Sequence, residues 1–323
     1  MSFEIWIPAH NEEKVIVKTI ASLQLVTKGK SNVFIGVACN GCTDQTEELS
    51  RQEGVSVHSW PALGKWKTIE QIVFQSQSEW IGFVDAGTVW GSNVWSKDFE
   101  ANLSDPEVMG FTLEYAAQNM NWLEKIYWMI ESAMKTFEEK MGGLVTVSGF
   151  SMFFRREELL KAIRFLRSEF GEVSWLNDDV ILPLCLRFLF PHKKIKLVKS
   201  TLQKTFNIVD LGLDSVGQEK KRRLRMMRGN LQWIRRMVPR FFEKRFFSFQ
   251  RTLVLLLLSR KILKVFWSYL FISLMLALAC KFVASTFLLP IFFLLMPKVG
   301  SAFLASIKAP FELFAEEPAN LGW

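Results

Sequence analysis

Residues 33–49 read VFIGVACNGCTDQTEEL, and the fold turns on whether Cys39 and Cys42 are chemistry or bystanders. A structural zinc site takes four ligands, usually as two closely spaced pairs. The only other cysteines are Cys185 and Cys280, and His10, His58 and His192 stand at no metal-ligand spacing. Zinc is therefore not expected. A redox pair ordinarily opens a helix behind a strand, whereas here Asn40 and Gly41, turn formers that tolerate positive φ, separate the thiols. VFIGVA has the continuous apolar run of a fully buried strand, and DQTEEL opens a helix with Asp44 and Glu47 at capping-box spacing. The stretch is a strand-to-helix turn of an α/β unit. Turns of this kind, at the carboxyl ends of parallel strands, are where nucleotides bind. Taken alone, Asp44 reads equally as a helix cap or as a ligand.

The same rhythm runs outward on both sides. FEIWIP is a short apolar strand, and AHNEEKVIVKTIASL turns into a helix with Val15, Ile16, Thr19, Ile20 and Leu23 on one side. VSVHSW is a third strand, PALGKWKTIEQIVFQSQ a turn and an amphipathic helix, and EWIGFVDAGT a fourth strand ending in an acid and a glycine. Alternation of this type predicts a parallel sheet wound with helices. Further on, Trp122, Ile126, Ile130, Ala133 and Phe137 recur at helical spacing, which predicts a helix packed by that face into the core. GGLVTVSGFSMFFRREEL reads as a loop, a strand and a helix, and WLNDDVILPLCLRFLF sets Asp178 and Asp179 at the opening of another helix.

Charge is distributed unevenly. Residues 220–264 hold 15 Lys and Arg against the single acid Glu243, a local +14, so with +8 overall the remainder carries −6. Residues 265–296 follow with one charge, Lys281. As one helix this apolar stretch would run ~48 Å, too long for a ~30 Å hydrocarbon core, so two short helices, a hairpin or a re-entrant pair, are expected. The basic flank puts the preceding domain on the cytoplasmic side of a cell (inner) membrane, and a reducing compartment suits unpaired cysteines. The opening MSFEIWIP reads as a strand, not a signal peptide. Beside an apolar segment, the basic stretch suits anionic lipid or a phosphate-bearing substrate rather than nucleic acid. The expected divisions are a domain at 1–219, a basic interfacial segment at 220–264, a membrane hairpin or re-entrant pair at 265–297 and a tail at 298–323. The residues give no oligomeric state.

IPAHNEE, CNGCTD, GKWKTI, FVDAGT, SGFSMFFRRE, NDD and RRLRM follow one another in an order that resembles the membrane-bound family 2 glycosyltransferases of the GT-A fold. The resemblance spans about residues 3–230. It implies a Rossmann-type, mostly parallel α/β sheet wound with helices, followed by a C-terminal membrane-associated helical segment. It further implies an inverting transfer of sugar from a nucleoside diphosphate donor, UDP-linked, to a lipid or saccharide acceptor at the bilayer. By position, Pro8, His10 and Glu12 in the first turn, Asp44, and Lys65 in GKWKTI would bind the nucleotide sugar, with His10 stacked on the base. Asp85 would hold Mg2+ or Mn2+. Where the family has Asp-x-Asp, this chain has Asp85-Ala86-Gly87, so one carboxylate is missing, as in the Asp-x-Gly-Thr of chitin synthases. Gly149 would leave room for the acceptor. Asp179 matches the general base and Asp178 the acid beside it. RRLRM stands where the family has Gln-x-x-Arg-Trp: Arg222 and Arg225 would meet the diphosphate, and Met226 replaces the aromatic platform of the acceptor side. That replacement argues against the alternative of a processive synthase of chitin or hyaluronan type. The altered motifs also admit a catalytically silent membrane adaptor.

Overall fold

The computed structural model describes residues 1–114, 122–199, 208–210 and 216–241, with short pieces at 266, 269–274, 303–304 and 306–308. Two compact units result. The first comprises chiefly Met1–Ser174 and Asp178–Gly212, the second Trp175–Asn177 and Leu213–Leu321.

The first unit begins with three strand-helix repeats: β1 (Phe3–Ala9), α1 (Ile16–Thr27), β2 (Val33–Asn40), α2 (Thr46–Gln52), β3 (Ser56–Trp60) and α3 (Lys65–Gln75). There follow β4 (Trp80–Phe83), β5 (Thr88–Trp90), α4 (Lys97–Ser104), β6 (Val108–Leu113), α5 (Trp122–Lys140), β7 (Met152–Arg155), α6 (Arg156–Phe170), α7 (Asp178–Leu189), β8 (Lys194–Val198) and β9 (Ile208–Asp210). Seven strands form one sheet in the order β3-β2-β1-β4-β7-β6-β8, and β5 pairs with β9 in a small second sheet. The first four run parallel, β7 runs antiparallel to both neighbours, and β8 is parallel to β6. The alternating pattern predicts the parallel strands, and the antiparallel β7 makes the sheet mixed, mostly parallel as the resemblance implies. Strands covered by helices on both faces are apolar, and the edge strands are less so: β3 (SVHSW) and β8 (KIKLV) keep polar, partly open residues. In β4 and β6 every residue is buried.

The core gathers Ile5, Ile7, Val37 and Cys39 of the sheet with Ile16, Ile20 and Leu23 of α1. An aromatic cluster extends it, with Phe111 and Phe153 stacked at 4.8 Å and Phe99 edge-on to Phe111 at 5.0 Å. Arg155, at the end of β7, stays inside the structure. Its guanidinium lies over Trp80 at 4.8 Å, pairs with Glu79 at 2.7 Å and donates to the Val108 carbonyl.

The expectation for α5 does not hold. Trp122, Ile126, Met129, Ile130, Ala133, Phe137 and Met141 are exposed, whereas Lys135 and Glu138 on the same helix are buried. The sequence period marks two faces correctly, but the face turned inward is the charged one, because Lys135 and Glu138 have polar partners in the loop that follows.

The second unit contains α8 (Val216–Phe241), against which Leu176 and Asn177 are held through Gln232, the Met226 carbonyl and Asn230. Among the described residues no helix is long and apolar enough to cross a membrane. The expected membrane segment 265–297 and the tail from 298 lie almost entirely outside the described residues.

Candidate active site

The turns behind β1 and β2 are stitched to each other. Asn11, with φ 58°, takes the Thr43 amide on its side-chain oxygen at 2.8 Å, a left-handed position that Asn tolerates better than most residues. The Asp44 carboxylate accepts from the Thr46 amide at 3.0 Å, the Thr46 hydroxyl at 2.5 Å and the Glu13 amide at 3.1 Å. In return the Glu13 carboxylate accepts from the Gln45 amide at 3.2 Å, and the Glu12 amide donates to the Thr46 hydroxyl at 2.7 Å. Burial would raise the pKa of Asp44, but the donors on Thr46 and Glu13 outweigh it and bring the carboxyl below its ordinary value.

The capping box expected from Asp44 and Glu47 does not form. Asp44 accepts the amide of Thr46, the first residue of α2, from two positions ahead of it, while Gln45 is the N-cap and Glu47 pairs with Arg51 at 2.7 Å. Pro8 is buried in β1 opposite Ala38. His10 is half-buried, its Nδ1 2.7 Å from the Asn40 carbonyl oxygen, a contact that fixes the ring plane beside the turn. Between these turns lie the cysteines. Cys39 is buried in β2, Cys42 donates to the Ala9 carbonyl at 3.5 Å, and a hydrogen bond from Cys39 draws the Cys42 thiol below its ordinary pKa.

A second cluster forms behind β4. Gly64, with φ 85°, opens α3 in a conformation that side chains rarely adopt and delivers Lys65 as the first helical residue. The Lys65 ammonium lies 2.7 Å from Asp85 Oδ1 and 3.1 Å from Asp178 Oδ2. Asp178 is the first residue of α7, so α3, the β4 turn and α7 each contribute one charge. The Lys65 and Asp178 side chains are only 19% and 9% exposed, and Asp85 is 44% exposed. Burial would discharge Lys65, but the Asp178 carboxylate and then that of Asp85 more than compensate, raising its pKa above the ordinary lysine value. Two carboxylates thus share one permanent ammonium. Asp178, beside Asp179 in the sequence, therefore has a cation against it.

Gly149 meets the same cluster. A Cβ there would stand 2.6 Å from Asp85 Oδ2, so the missing side chain makes room for the carboxylate itself. The Gly149 loop is anchored from α5 and β6. The Lys135 ammonium donates to the Ser148 hydroxyl at 2.8 Å, the Ser148 amide to the Thr112 hydroxyl at 3.1 Å, and the Val145 amide to Glu138 at 3.3 Å. Asp179 joins this loop through its carbonyl, which accepts from the Val147 amide at 3.0 Å, and its side chain is half-buried.

Of the residues singled out from sequence, the structure gathers Lys65, Asp85, Gly149 and Asp178 into one cluster, and Asp44 and Glu12 into the stitched turns beside Pro8 and His10. Arg225 and Met226 belong to the second unit, half-buried and exposed on α8 respectively. Arg222 lies on the same helix, with its side chain outside the described residues. Sequence reasoning missed Asn11, Glu13 and Thr46, and also Lys135 and Thr112. Asn11 was open to discovery as a residue that tolerates positive φ just ahead of a helix, and Lys135 as a lysine opposite an apolar stripe. Nothing local marks Thr112.

Among the described residues no three His, Cys, Asp or Glu side chains converge as metal ligands. Asp85 alone, with its carboxylate almost half open, suits a hard divalent ion only as a single protein ligand completed by phosphates and water.

The model of the glycosyl transferase family 2 matches residues 4–162, which contain the stitched turns, Lys65, Asp85 and Gly149. Those residues are a family 2 glycosyl transferase domain, and the chain is a glycosyltransferase with a GT-A-like fold. Among solved structures, a mannosyltransferase of Pyrobaculum calidifontis, in complex with GDP-mannose and Mn2+, superposes with a TM-score of 0.67 at 16% identity, over 98% of this chain and 88% of that one. TarS of S. aureus, in complex with UDP-GlcNAc, gives a TM-score of 0.49 at 13% identity, over 82% and 75% of the two chains. A glucosyl-3-phosphoglycerate synthase of Mycobacterium tuberculosis, with Mn2+, UDP-glucose and phosphoglyceric acid, gives 0.38 at 17% identity, over 61% and 69%. No curated protein matches the chain.

Proposed function

We propose that the chain is an inverting transferase that moves one sugar from a nucleoside diphosphate donor, UDP-linked, to an acceptor hydroxyl at a membrane surface. The observation that carries this reading is the Lys65 ammonium held between Asp85 and Asp178 at the carboxyl edge of a family 2 domain. Negative charge grows on the departing diphosphate during transfer, and a fixed cation in a partly water-free site stabilises it there. Lys65 is that cation, and its raised pKa keeps it charged throughout the neutral range. Mg2+ or Mn2+ belongs to the same reading: Asp85 would hold it with the donor phosphates, and it would add positive charge opposite the leaving group.

The two aspartates of α7 divide the remaining work. Asp178 is buried against Lys65 and out of an acceptor's reach, so it acts as a positioning residue. Asp179 is more open, and it takes the proton of the acceptor hydroxyl as that oxygen attacks the anomeric carbon from the face opposite the diphosphate. His10 stacks on the base. Asp44 shapes the base-side turn, its carboxylate already taken up by backbone donors. By motif order alone, Arg222 and Arg225 are assigned to the diphosphate and Met226 to the acceptor side. The apolar stretch at 265–296 and the +14 segment before it support an acceptor presented at a bilayer.

The test is nucleoside diphosphate release by membranes carrying the wild-type chain or Asp179→Asn. UDP sugars are the first donors and GDP-mannose, bound by the Pyrobaculum protein, the next, each with Mg2+ or Mn2+ and with or without lipid extract. Lipid-dependent release from one donor, reduced about 10²–10⁴-fold in the variant with donor affinity unchanged, is expected. Near-normal release by Asp179→Asn would overturn its assignment as the base.

A further inference from the structure

We propose that α5 is a membrane-docking helix, lying in the plane of a bilayer interface with its Trp122–Phe137 face among lipid acyl chains. Trp122, Ile126, Met129, Ile130, Ala133 and Phe137 fall within an arc of about 100° at 100° per residue, a stripe ~22 Å long on a helix that ends at Lys140, with exposed Met141 in the turn after it. Trp122 is 68% exposed, Met129 65% and Phe137 57%. A helix at the surface of a water-borne domain turns its apolar stripe to the core and its charges outward. In α5 the order is reversed, since Lys135 and Glu138 are buried. Such an inversion is stable only where the outer medium is itself apolar.

The chain carries its own indication of that medium. Residues 265–296 hold one charge in 32 positions, and the segment before them carries +14, a match for anionic headgroups. The aromatic and aliphatic composition of the stripe, with Trp at its start, suits the interface between headgroups and acyl chains.

The inner face of α5 gives the docking a use. Lys135 grips Ser148 and Glu138 grips the Val145 amide, so the helix that would touch lipid also holds the loop whose Gly149 abuts Asp85. Docking would then fix the depth of that loop relative to a membrane acceptor. In this use the inference rests on the proposed function; the lipid contact itself does not.

The contact can be read without transfer. The full wild-type chain is reconstituted into vesicles of phosphatidylcholine and phosphatidylglycerol containing a diazirine-bearing acyl phospholipid, then irradiated, and its lipid adducts are mapped by mass spectrometry. At least ten-fold more adducts on residues 122–141 than on α6 are expected, alongside adducts on 265–296. In Met129→Glu/Phe137→Glu the α5 adducts should vanish and those on 265–296 remain. Adducts on 265–296 with none on α5 would overturn the docking helix and leave the membrane acceptor standing; a protein cover, from a second copy or another part of this chain, gives this result. Absence of adducts from both segments would overturn both readings.

Discussion

Two aspartates stand at the carboxyl edge of one sheet, Asp44 behind β2 and Asp85 behind β4, and the structure uses them differently. Asp44 accepts three hydrogen bonds from the turns around it, and its charge is consumed in joining them. Asp85 faces Lys65, which it shares with Asp178, and its side chain stays nearly half open. A carboxylate surrounded by backbone donors has a structural task, because removing it strands those donors. One that meets the Lys65 ammonium and stays nearly half open can exchange that partner for a substrate group. The same residue type behind two strands of one sheet is thus taken up by its own turns behind β2 and left half open beside a cation behind β4.

The sharpest way to break this comparison is to neutralise both acids separately. Asp85→Asn should reduce transfer about 10²–10³-fold, as losses of preorganised charge at a reacting centre do, with little change in melting temperature. Asp44→Asn should leave turnover within about three-fold. Equal losses of turnover in assays of the two variants would end the distinction.

Gly149→Ala tests the site from its other wall. The added methyl meets the Asp85 carboxylate at 2.6 Å, so either the carboxylate or the loop must move. A rise in donor KM and a turnover loss of about ten-fold or more are expected from steady-state kinetics, at a stability cost of about 1–3 kcal/mol. Unchanged kinetics would show that Asp85 need not sit where Lys65 holds it.

Replacing the shared cation asks how far the cluster stabilises the fold. Lys65→Met leaves Asp178 buried without its ammonium and should cost on the order of 1–3 kcal/mol in denaturant titration. That is less than for a fully buried pair, because Asp85 can turn to water. Adding Asp178→Asn to that variant should recover part of the loss.

The smallest effect belongs to Asp44. Its replacement by Asn removes charge-assisted hydrogen bonds worth about 1 kcal/mol. Because its folded pKa lies below the unfolded value, this contribution is present above the unfolded pKa and disappears as pH falls through the folded one. Wild type should therefore exceed Asp44→Asn at pH 7, with a gap that begins to shrink as pH falls below the unfolded value of about 4, as read by chemical denaturation. A gap of constant size from pH 7 down to the acid unfolding of the chain would mean that hydrogen bonding without charge holds the turns together.

Much of the domain was legible before folding. The strand-helix repeats through α3 follow from apolar runs separated by turn formers, which need only local periodicity. The order of short motifs drew Lys65, Asp85 and Asp178 into one candidate list. It assigned them separate duties, however, and the ammonium bridge joining them was missed because the three lie on different elements. The resemblance assigns Asp44 to the nucleotide sugar, and its hydrogen bond from the Glu13 amide is not legible locally for a related reason: that donor comes from another turn.

What the sequence by itself determined is where backbone hydrogen bonds can run in helices and strands, and which stripe of each helix is apolar, since both depend on residues a few positions apart. Only the tertiary structure decided which stripe faces inward and which charges meet. In α5 the polar groups of the 145–149 loop outbid the apolar stripe for the inner side. At Lys65 the fold brings two carboxylates within reach of one buried ammonium. Both outcomes depend on partners distant along the chain, and hydrophobic periodicity carries no information about them.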